Sequence, residues 1–210
     1  MTDTQMIHLI DDDAAVRDSV ALLLRTEGFD VCSYASAPEF FKTVDIARDG
    51  CVITDVRMPE MNGIELITKM KNEHIQLPVI VLTAYADVPL AVEAMKLGAI
   101  DLLEKPFDDE TLLTAVRIAL ARQSVEQSRS RETRAIKEKL DGLTRREKEI
   151  LSGLLKGQSN KIIAHDLGIS VRTAEVHRAN IMSKMRATNL ADLVKMTLAV
   201  TNETDIAREA

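Results

Sequence analysis

The sequence predicts two domains of different classes, an α/β domain followed by an all-α domain. In the first 120 residues, five short apolar runs alternate with segments whose apolar residues recur at helical spacing. Beyond Gly142 the patterns are helical throughout. The 210 residues leave room for two small domains, and 46% hydrophobic with 29% charged residues is typical of globular proteins.

The five apolar runs are predicted to be the strands of the first domain. They lack a clean alternation of polar and apolar residues, which is typical of strands buried on both faces. Five strands alternating with five helices predict right-handed βαβ units, and therefore a parallel sheet covered by helices on both faces. The runs are Met6 to Ile10, Val31 to Tyr34, Cys51 to Thr54, Val79 to Leu82 and Ile100 to Leu103.

A long connecting segment separates the two domains. Residues 108–140 contain neither Pro nor Gly and are rich in helix formers, which predicts one long helix beginning after Asp108. Because residues 123–134 are almost entirely polar, this part is expected to cross solvent as a stalk, with a flexible linker as the alternative. The predicted division is 1–122 for the first domain, 123–140 for the helical linker, 141–200 for the second domain and 201–210 for a frayed polar tail.

Four short helices are predicted in the second domain from their capping signals. Thr144 and Glu147 have the spacing of a capping box, and Ser159 and Ser170 are N-cap candidates. The predicted helices cover residues 144–155, 159–167, 170–185 and 189–200. Positions expected in the core of this domain are Ile162, Ile163, Leu167, Ile169, Val171, Ile181 and Met185.

Charge is distributed unevenly along the chain. Residues 1–120 carry 21 acidic and 10 basic side chains, whereas residues 121–210 carry 12 acidic and 17 basic ones. An acidic first part and a basic second part predict that the second part meets a polyanion, although an uneven scatter of solvated charge is the alternative. No apolar run approaches the roughly 18 residues of a membrane span, and the amino terminus is acidic where a signal peptide is basic. A cytoplasmic location with no membrane partner is expected.

Polar side chains follow four of the predicted strands. Asp11 and Asp12 come after the first strand, Asp55 after the third, Thr83 after the fourth and Lys105 after the fifth. Ligands of open α/β sheets bind outside the carboxyl ends of the strands, where these residues are expected to converge. Converging carboxylates predict a hard cation such as Mg²⁺, and a lysine with a hydroxyl can hold phosphoryl oxygens. The alternative is that these residues merely begin solvent-facing loops.

Four segments of the first domain resemble the receiver domain of two-component response regulators, over about residues 4–122. The resemblance implies a flavodoxin-like, doubly wound, five-stranded parallel sheet. It also implies that Asp55 is the phosphoacceptor, and that Mg²⁺ is bound by Asp11, Asp12, Asp55 and the backbone carbonyl of Arg57. The segments are IDDD (10–13), ITDVRMPEMNG (53–63), VLTA (81–84) and LLEKPF (102–107).

The same resemblance assigns the phosphate-contacting residues. Thr83 is the switch hydroxyl, Lys105 pairs with the phosphate, and the Lys105 to Pro106 peptide bond is expected to be cis. One position departs from the family pattern, because Leu102 stands where receivers usually carry Tyr or Phe as the aromatic part of the switch.

The second domain resembles the LuxR-type helix-turn-helix, in the subgroup of the FixJ and NarL regulators. The segments are LTRREKEIL (143–151), GQSNKIIAHDLGIS (157–170) and VRTAEVHRANIMSKM (171–185). The resemblance implies an all-α, four-helix DNA-binding domain whose helix 170–185 enters the major groove. Glu175 could accept from cytosine, Arg178 could bind guanine or phosphate, and Val176 could touch a thymine methyl. The residues expected to contact DNA are Lys161, Arg172, Thr173, Glu175, Val176, Arg178, Ala179 and Lys184, with Lys161 and Lys184 assigned to phosphates.

Together these features predict a DNA-binding transcription regulator controlled by phosphorylation, and not an enzyme. A sensor histidine kinase is expected to phosphorylate Asp55, which would release the second domain from the acidic receiver or dimerise it for binding to double-stranded promoter DNA. RNA polymerase and a second copy of the chain are the other expected partners. One alternative is an aspartyl-phosphate phosphatase of the haloacid-dehalogenase type, which needs a second acid where Arg57 stands. The other is a receiver whose helical output binds RNA or protein, against which the basic excess and the helix-turn-helix spacing argue.

Overall fold

The computed structural model describes residues 6–43 and 49–209, without the side chains of residues 201–209. The chain divides into two compact units, Met1–Glu126 and Gln127–Ala210. Residue 210 of the predicted tail, and residues 1–5 and 44–48 of the predicted first domain, lie outside the described residues.

The first unit contains a five-stranded sheet in which all neighbouring strands are parallel. The strand order is β2-β1-β3-β4-β5, so the chain reverses direction across the sheet between β1 and β3. This confirms the predicted doubly wound sheet. The strands are β1 (Met6–Ile10), β2 (Asp30–Tyr34), β3 (Cys51–Asp55), β4 (Val79–Thr83) and β5 (Asp101–Glu104), each within one residue of its predicted run.

Helices connect the strands and begin at side-chain caps. Asp13 caps α1 by accepting from the backbone N–H groups of Ala15 and Val16. Asn62 forms a capping box with Glu65 at the start of α3. The helices are α1 (Ala14–Thr26), α2 (Ala37–Thr43), α3 (Gly63–Asn72), α4 (Val88–Leu97) and α5 (Asp109–Asp141).

Two apolar cores cover the two faces of the sheet. Successive residues of a strand point to opposite faces, so Ile53 belongs to one core and Val52 to the other. The core on the side of Ile53 includes Leu24 of α1 and Leu112 of α5. The other core includes Phe40 of α2 and Leu66 of α3. Asp55 ends β3 and Thr83 ends β4, so parallel pairing of the two strands places both polar residues at the same edge of the sheet.

The second unit is helical, and its predicted caps are present. Thr144 and Glu147 form the reciprocal capping box, and the side chains of Ser159 and Ser170 accept from the first turns of their helices. Its further helices are α6 (Arg145–Leu155), α7 (Asn160–Asp166), α8 (Val171–Met185) and α9 (Leu190–Glu209). Helix α9 therefore continues past residue 200, where the sequence predicts a frayed tail.

Most of the predicted core of this unit is confirmed, with two corrections. Ile163, Ile181 and Met185 are buried, and Leu167 and Ile169 pack against them. Ile162 and Val171, however, are 49% and 43% exposed. The buried face of α7 is formed by Ile163 and Ala164, and one residue along a helix turns the side chain of Ile162 by about 100° away from it. Val171 is the first residue of α8 and lies outside the contact between helices.

Helix α5 contributes to both units. It runs without interruption from Asp109 to Asp141, as one long helix rather than a flexible linker. Ile136 is buried in the core of the second unit and Leu140 packs against it, so the end of α5 is part of that unit. The predicted polar stalk is also not fully solvated, because Gln123 is buried. Among the described residues, no helix is long and apolar enough to cross a membrane.

Candidate functional site

A buried charge cluster lies at the carboxyl ends of β1, β3 and β5. Asp11 follows β1, Asp55 ends β3, and β1 and β3 are neighbours in the sheet. Lys105 follows β5, and its Nζ lies 2.6 Å from Asp11 Oδ2 and 2.6 Å from Asp55 Oδ1. The Lys105–Pro106 peptide bond is cis, as expected. The two carboxylates are 1% and 7% exposed, so one ammonium group joins two nearly buried acids.

Backbone and side-chain hydrogen bonds hold the two carboxylates in place. Asp11 Oδ1 accepts from the N–H of Asp13 at 2.9 Å, and Asp55 Oδ2 accepts from the N–H of Arg57 at 2.6 Å. The guanidinium of Arg17 donates to the carbonyl of Asp11 at 2.6 Å. This makes Arg17 a part of the site that the sequence did not predict, since nothing in its local pattern distinguishes it from a surface arginine of α1.

The cluster perturbs the ionisation of its members. Burial raises the pKa of the Asp11 carboxyl, and the hydrogen bond from Lys105 opposes this effect only in part. Burial also works to lower the pKa of Lys105, but its two carboxylate partners outweigh burial and raise that pKa above its ordinary value. Lys105 is therefore held as a cation, which is the form that can bind phosphoryl oxygens.

The oxygen donors at this edge of the sheet fit a hard cation. Mg²⁺ prefers carboxylate and carbonyl oxygens, and the burial that raises the pKa of Asp11 makes further positive charge favourable there. Asp12 lies in the same loop but is exposed. Within the described parts of the chain, no three acidic, histidine or cysteine side chains are grouped as a ready-made metal site. The structure thus brings Asp11 and Asp55 together, and leaves Asp12 at the solvent side of the cluster.

Thr83 is buried at the end of β4, and its hydroxyl is engaged with the following loop. Its Oγ1 donates to the carbonyl of Tyr85 at 2.9 Å and accepts from the N–H of Tyr85 at 3.3 Å. Glu104 accepts from the N–H of Ala86 in the same loop at 3.2 Å. Leu102, at the usual aromatic position, is half-buried and packs into the core that includes Ala94 of α4. In this structure the Thr83 hydroxyl is therefore directed to its own loop.

Helix α8 of the second unit presents most of the residues predicted to contact DNA. Ala174, Ile181 and Met185 are buried and fix which side of the helix faces the core. Arg178 is half-buried on the flank of this helix. Of the predicted contacts, those exposed on α8 are Arg172, Thr173, Glu175, Val176, Ala179 and Lys184, and Lys161 is exposed on α7. Spacings of three and four residues place Arg172, Glu175, Val176 and Ala179 on one face.

Several of these side chains have partners within the protein. Thr173 Oγ1 lies 2.8 Å from Ser170 Oγ at the start of α8, and Arg172 lies 3.6 Å from Glu175. Arg178 donates from Nη1 to Oδ1 of Asn160 at 3.3 Å. The sequence did not predict a role for Asn160, because it lies 18 residues from Arg178 and only the packing of α7 against α8 brings the two together.

Lys184 differs from the other predicted DNA contacts. Its Nζ donates to Glu147 Oε2 at 2.7 Å, and Glu147 is only 3% exposed. Lys184 and the backbone N–H of Thr144 lower the pKa of Glu147 to about 2. Glu147 takes up one of the three N–H donors of this ammonium, so Lys184 contributes to the fold of the domain, and its contact with a DNA phosphate stays a prediction.

Two family models match the chain, one over each unit. Residues 7–117 match the response regulator receiver domain, and residues 141–197 match the bacterial regulatory proteins of the luxR family. The chain therefore belongs to the response regulators that join a receiver to a LuxR-type DNA-binding domain.

Similar proteins extend over nearly the whole chain. The transcriptional regulatory protein FixJ of Azorhizobium caulinodans is 48% identical over 199 residues, which cover 94% of each chain. The protein of the same name from Rhizobium meliloti is 43% identical over 199 residues, which cover 95% of this chain and 97% of that protein. Among solved structures, the response regulator StyR has a TM-score of 0.83 at 36% identity, and the match covers 92% of this chain and 98% of StyR. Full-length FixJ from B. japonicum has a TM-score of 0.59 at 42% identity, and the match covers 95% of this chain and 98% of that FixJ chain. The chain is a phosphorylation-controlled transcription regulator.

Proposed function

We propose that Asp55 is the phosphoacceptor of this regulator. One observation carries the proposal. The ammonium of Lys105 lies 2.6 Å from a carboxylate oxygen of Asp55 and 2.6 Å from one of Asp11, at the carboxyl ends of the strands. An Asp55 carboxylate oxygen attacks the phosphorus of a phosphohistidine in line, so an O–P bond forms as the P–N bond breaks and the histidine leaves. The ammonium of Lys105 offsets the negative charge of the transferring group.

The proposed metal ligands are the oxygens around the same edge. Asp11, Asp12, Asp55 and the backbone carbonyl of Arg57 would hold Mg²⁺, which supplies positive charge to the phosphoryl oxygens. The buried Asp11 is held by the N–H of Asp13 and by Lys105, so its carboxylate is already oriented.

Phosphorylation of Asp55 is proposed to act through Thr83. A phosphoryl group adds about −1.5 to −2 charge and three acceptor oxygens, which compete with the Tyr85 carbonyl for the Thr83 hydroxyl. When Thr83 donates to the phosphoryl group instead, the loop between β4 and α4 is no longer held by that hydrogen bond. The surface from Tyr85 to Leu103 then shifts from one of two arrangements towards the other. A preference of a few kcal/mol is enough to shift such an equilibrium from mostly one state to mostly the other.

The phosphoacceptor is tested by intact mass after incubation with acetyl phosphate and Mg²⁺. The wild-type chain is expected to gain one phosphoryl group, and Asp55→Asn none. Asp18→Asn, which removes an exposed acid from α1, is the matched control and is expected to label as the wild type does. Labelling of Asp55→Asn at the wild-type rate would show that another residue accepts the phosphoryl group.

The metal ligands are tested by titrating Mg²⁺ during the same reaction. Asp12→Ala is expected to need a higher Mg²⁺ concentration for half-maximal labelling, because one oxygen ligand is lost. An unchanged Mg²⁺ dependence would remove Asp12 from the ligand set.

The exposed face of α8 is proposed to enter the major groove of double-stranded promoter DNA. Arg178→Ala is expected to weaken binding by about 1–3 kcal/mol if Arg178 contacts a base, and mainly to flatten the salt dependence if it contacts a phosphate. No change in either quantity would exclude Arg178 from the interface. The proposed contacts are Lys161, Arg172, Thr173, Glu175, Val176, Arg178, Ala179 and Lys184, with Lys161 and Lys184 assigned to phosphates.

Membership of this family implies a sensor histidine kinase and DNA as partners. We further propose that the chain binds DNA as a homodimer, contacts RNA polymerase and acts in the cytoplasm. The dimer surfaces proposed are Tyr85 to Leu103, where Val88 is 77% exposed, and the part of α9 from Leu190 to Ala199, where Leu198 is 51% exposed. Sedimentation of the phosphorylated chain with and without DNA tests the dimer. A monomer under both conditions would contradict it.

Release and dimerisation are distinguished by comparing DNA binding at one salt concentration. If the receiver covers the DNA surface, a fragment of residues 127–210 binds more tightly than the unphosphorylated full chain. The fragment begins at residue 127 because Ile136 belongs to its core. If the fragment binds no better and only the phosphorylated full chain binds tightly, phosphorylation works by dimerisation.

A further inference from the structure

A hydrogen bond between Asn160 and Arg178 joins α7 to α8, the two helices of the helix-turn-helix. Asn160 is the first residue of α7, directly after the N-cap Ser159, and Arg178 lies in the middle of α8. The side-chain oxygen of Asn160 accepts from Arg178 Nη1 at 3.3 Å, and both residues are half-buried. Ala164 on α7 and Ala174 on α8 are almost fully buried.

We propose that Asn160 is a positioning residue for DNA binding, which acts by orienting the guanidinium of Arg178. An arginine side chain has five N–H donors in a fixed planar fork, and it loses rotamer entropy when a ligand holds it. One hydrogen bond to Asn160 fixes the plane of the fork before DNA arrives and leaves the other donors for a base or a phosphate. This inference rests on the proposed contact between Arg178 and DNA.

A double-mutant cycle tests the proposal in the full-length phosphorylated protein. The probe is one labelled duplex selected from a random-sequence pool by the wild-type protein, and it is used for every variant at one salt concentration. Arg178→Ala is expected to raise Kd about 10-fold to 100-fold. Asn160→Ala is expected to raise Kd about threefold to tenfold, and to have less than a twofold effect when Arg178 is already Ala.

Two controls separate positioning from a general effect on folding. His165→Ala removes an exposed side chain from the same helix and is expected to change Kd by less than twofold in either background. Selection of duplexes by Asn160→Ala is expected to lose base preference at the same position as selection by Arg178→Ala, while its thermal unfolding stays that of the wild type. A helix that is merely destabilised does not lose preference at one base position.

The outcomes distinguish this inference from the proposed function. If Arg178→Ala leaves Kd unchanged, the proposed DNA contact of Arg178 fails, and this inference fails with it. If Arg178→Ala weakens binding but Asn160→Ala adds the same factor with or without Arg178, the DNA contact stands and the positioning role of Asn160 is refuted. Tighter binding by Asn160→Ala would also refute it, because Asn160 would then hold Arg178 away from DNA.

Discussion

Replacement of Lys184 by Met is expected to destabilise the DNA-binding unit, because it removes the partner of the buried Glu147 carboxylate. The change removes the ammonium that lies 2.7 Å from Glu147 Oε2 but keeps much of the aliphatic chain. A hydrogen bond to a charged group contributes about 1.5–3 kcal/mol. Because the Lys184 side chain is 43% exposed and therefore screened by solvent, the lower part of that range applies, about 2 kcal/mol.

The effect of Lys184→Met is expected to depend on pH. The folded protein holds the pKa of Glu147 at about 2, below its ordinary 4.5, so the carboxylate contributes its full stabilisation above about pH 4.5. That contribution is lost as the pH falls towards 2, because Glu147 is then protonated in the folded state as well. The stability difference between the wild type and Lys184→Met should therefore be largest near neutral pH and shrink below pH 4.5.

Hydrogen exchange followed by mass spectrometry measures this prediction in the full chain. A loss of about 2 kcal/mol corresponds to roughly 30-fold faster exchange of the protected amides of α6 and α8. The amides of the receiver are expected to exchange at the wild-type rate and serve as an internal reference. Lys161→Met removes an exposed lysine from α7 and serves as the control. Exchange equal to that of the control would refute the structural role of Lys184. A DNA-binding salt slope reduced by about one in Lys184→Met would show that Lys184 also contacts a DNA phosphate.

Two further changes test the packing of each unit. Ile136→Ala is expected to destabilise the DNA-binding unit by about 2–5 kcal/mol because Ile136 is 5% exposed in its core, whereas the exposed Glu132→Ala on the same helix should have little effect in the same hydrogen-exchange measurement. Equal effects would place α5 outside that core. Gly50→Ala is expected to destabilise the receiver more than Gly28→Ala in thermal unfolding. Both glycines have positive φ, but a Cβ at Gly50 would lie 1.7 Å from the backbone oxygen of Met6, whereas a Cβ at Gly28 would meet no atom within 4 Å. Equal losses of stability would show that backbone conformation alone sets the cost.

The sequence alone determined the elements of both domains and the edge of the sheet at which Asp11, Asp55 and Lys105 meet. Strand runs, capping boxes and helix boundaries depend on residues that are close in the chain, which is why the N-caps Ser159 and Ser170 and all five strands were predicted. The convergence of Asp55 and Lys105 was also predictable, because parallel strands carry the residues that follow them to one edge of the sheet.

The tertiary structure alone decided the partners that polar side chains of the second unit find far along the chain. Lys184 pairs with Glu147 across 37 residues, and Arg178 pairs with Asn160 across 18. It also decided that Ile136 belongs to the DNA-binding core. Such contacts depend on the angle and distance at which separate helices pack, and these are properties of the assembled core that no local spacing encodes. A basic side chain on a helix has the same sequence pattern whether or not it pairs with a buried carboxylate, so only the folded arrangement shows that Lys184 contacts Glu147.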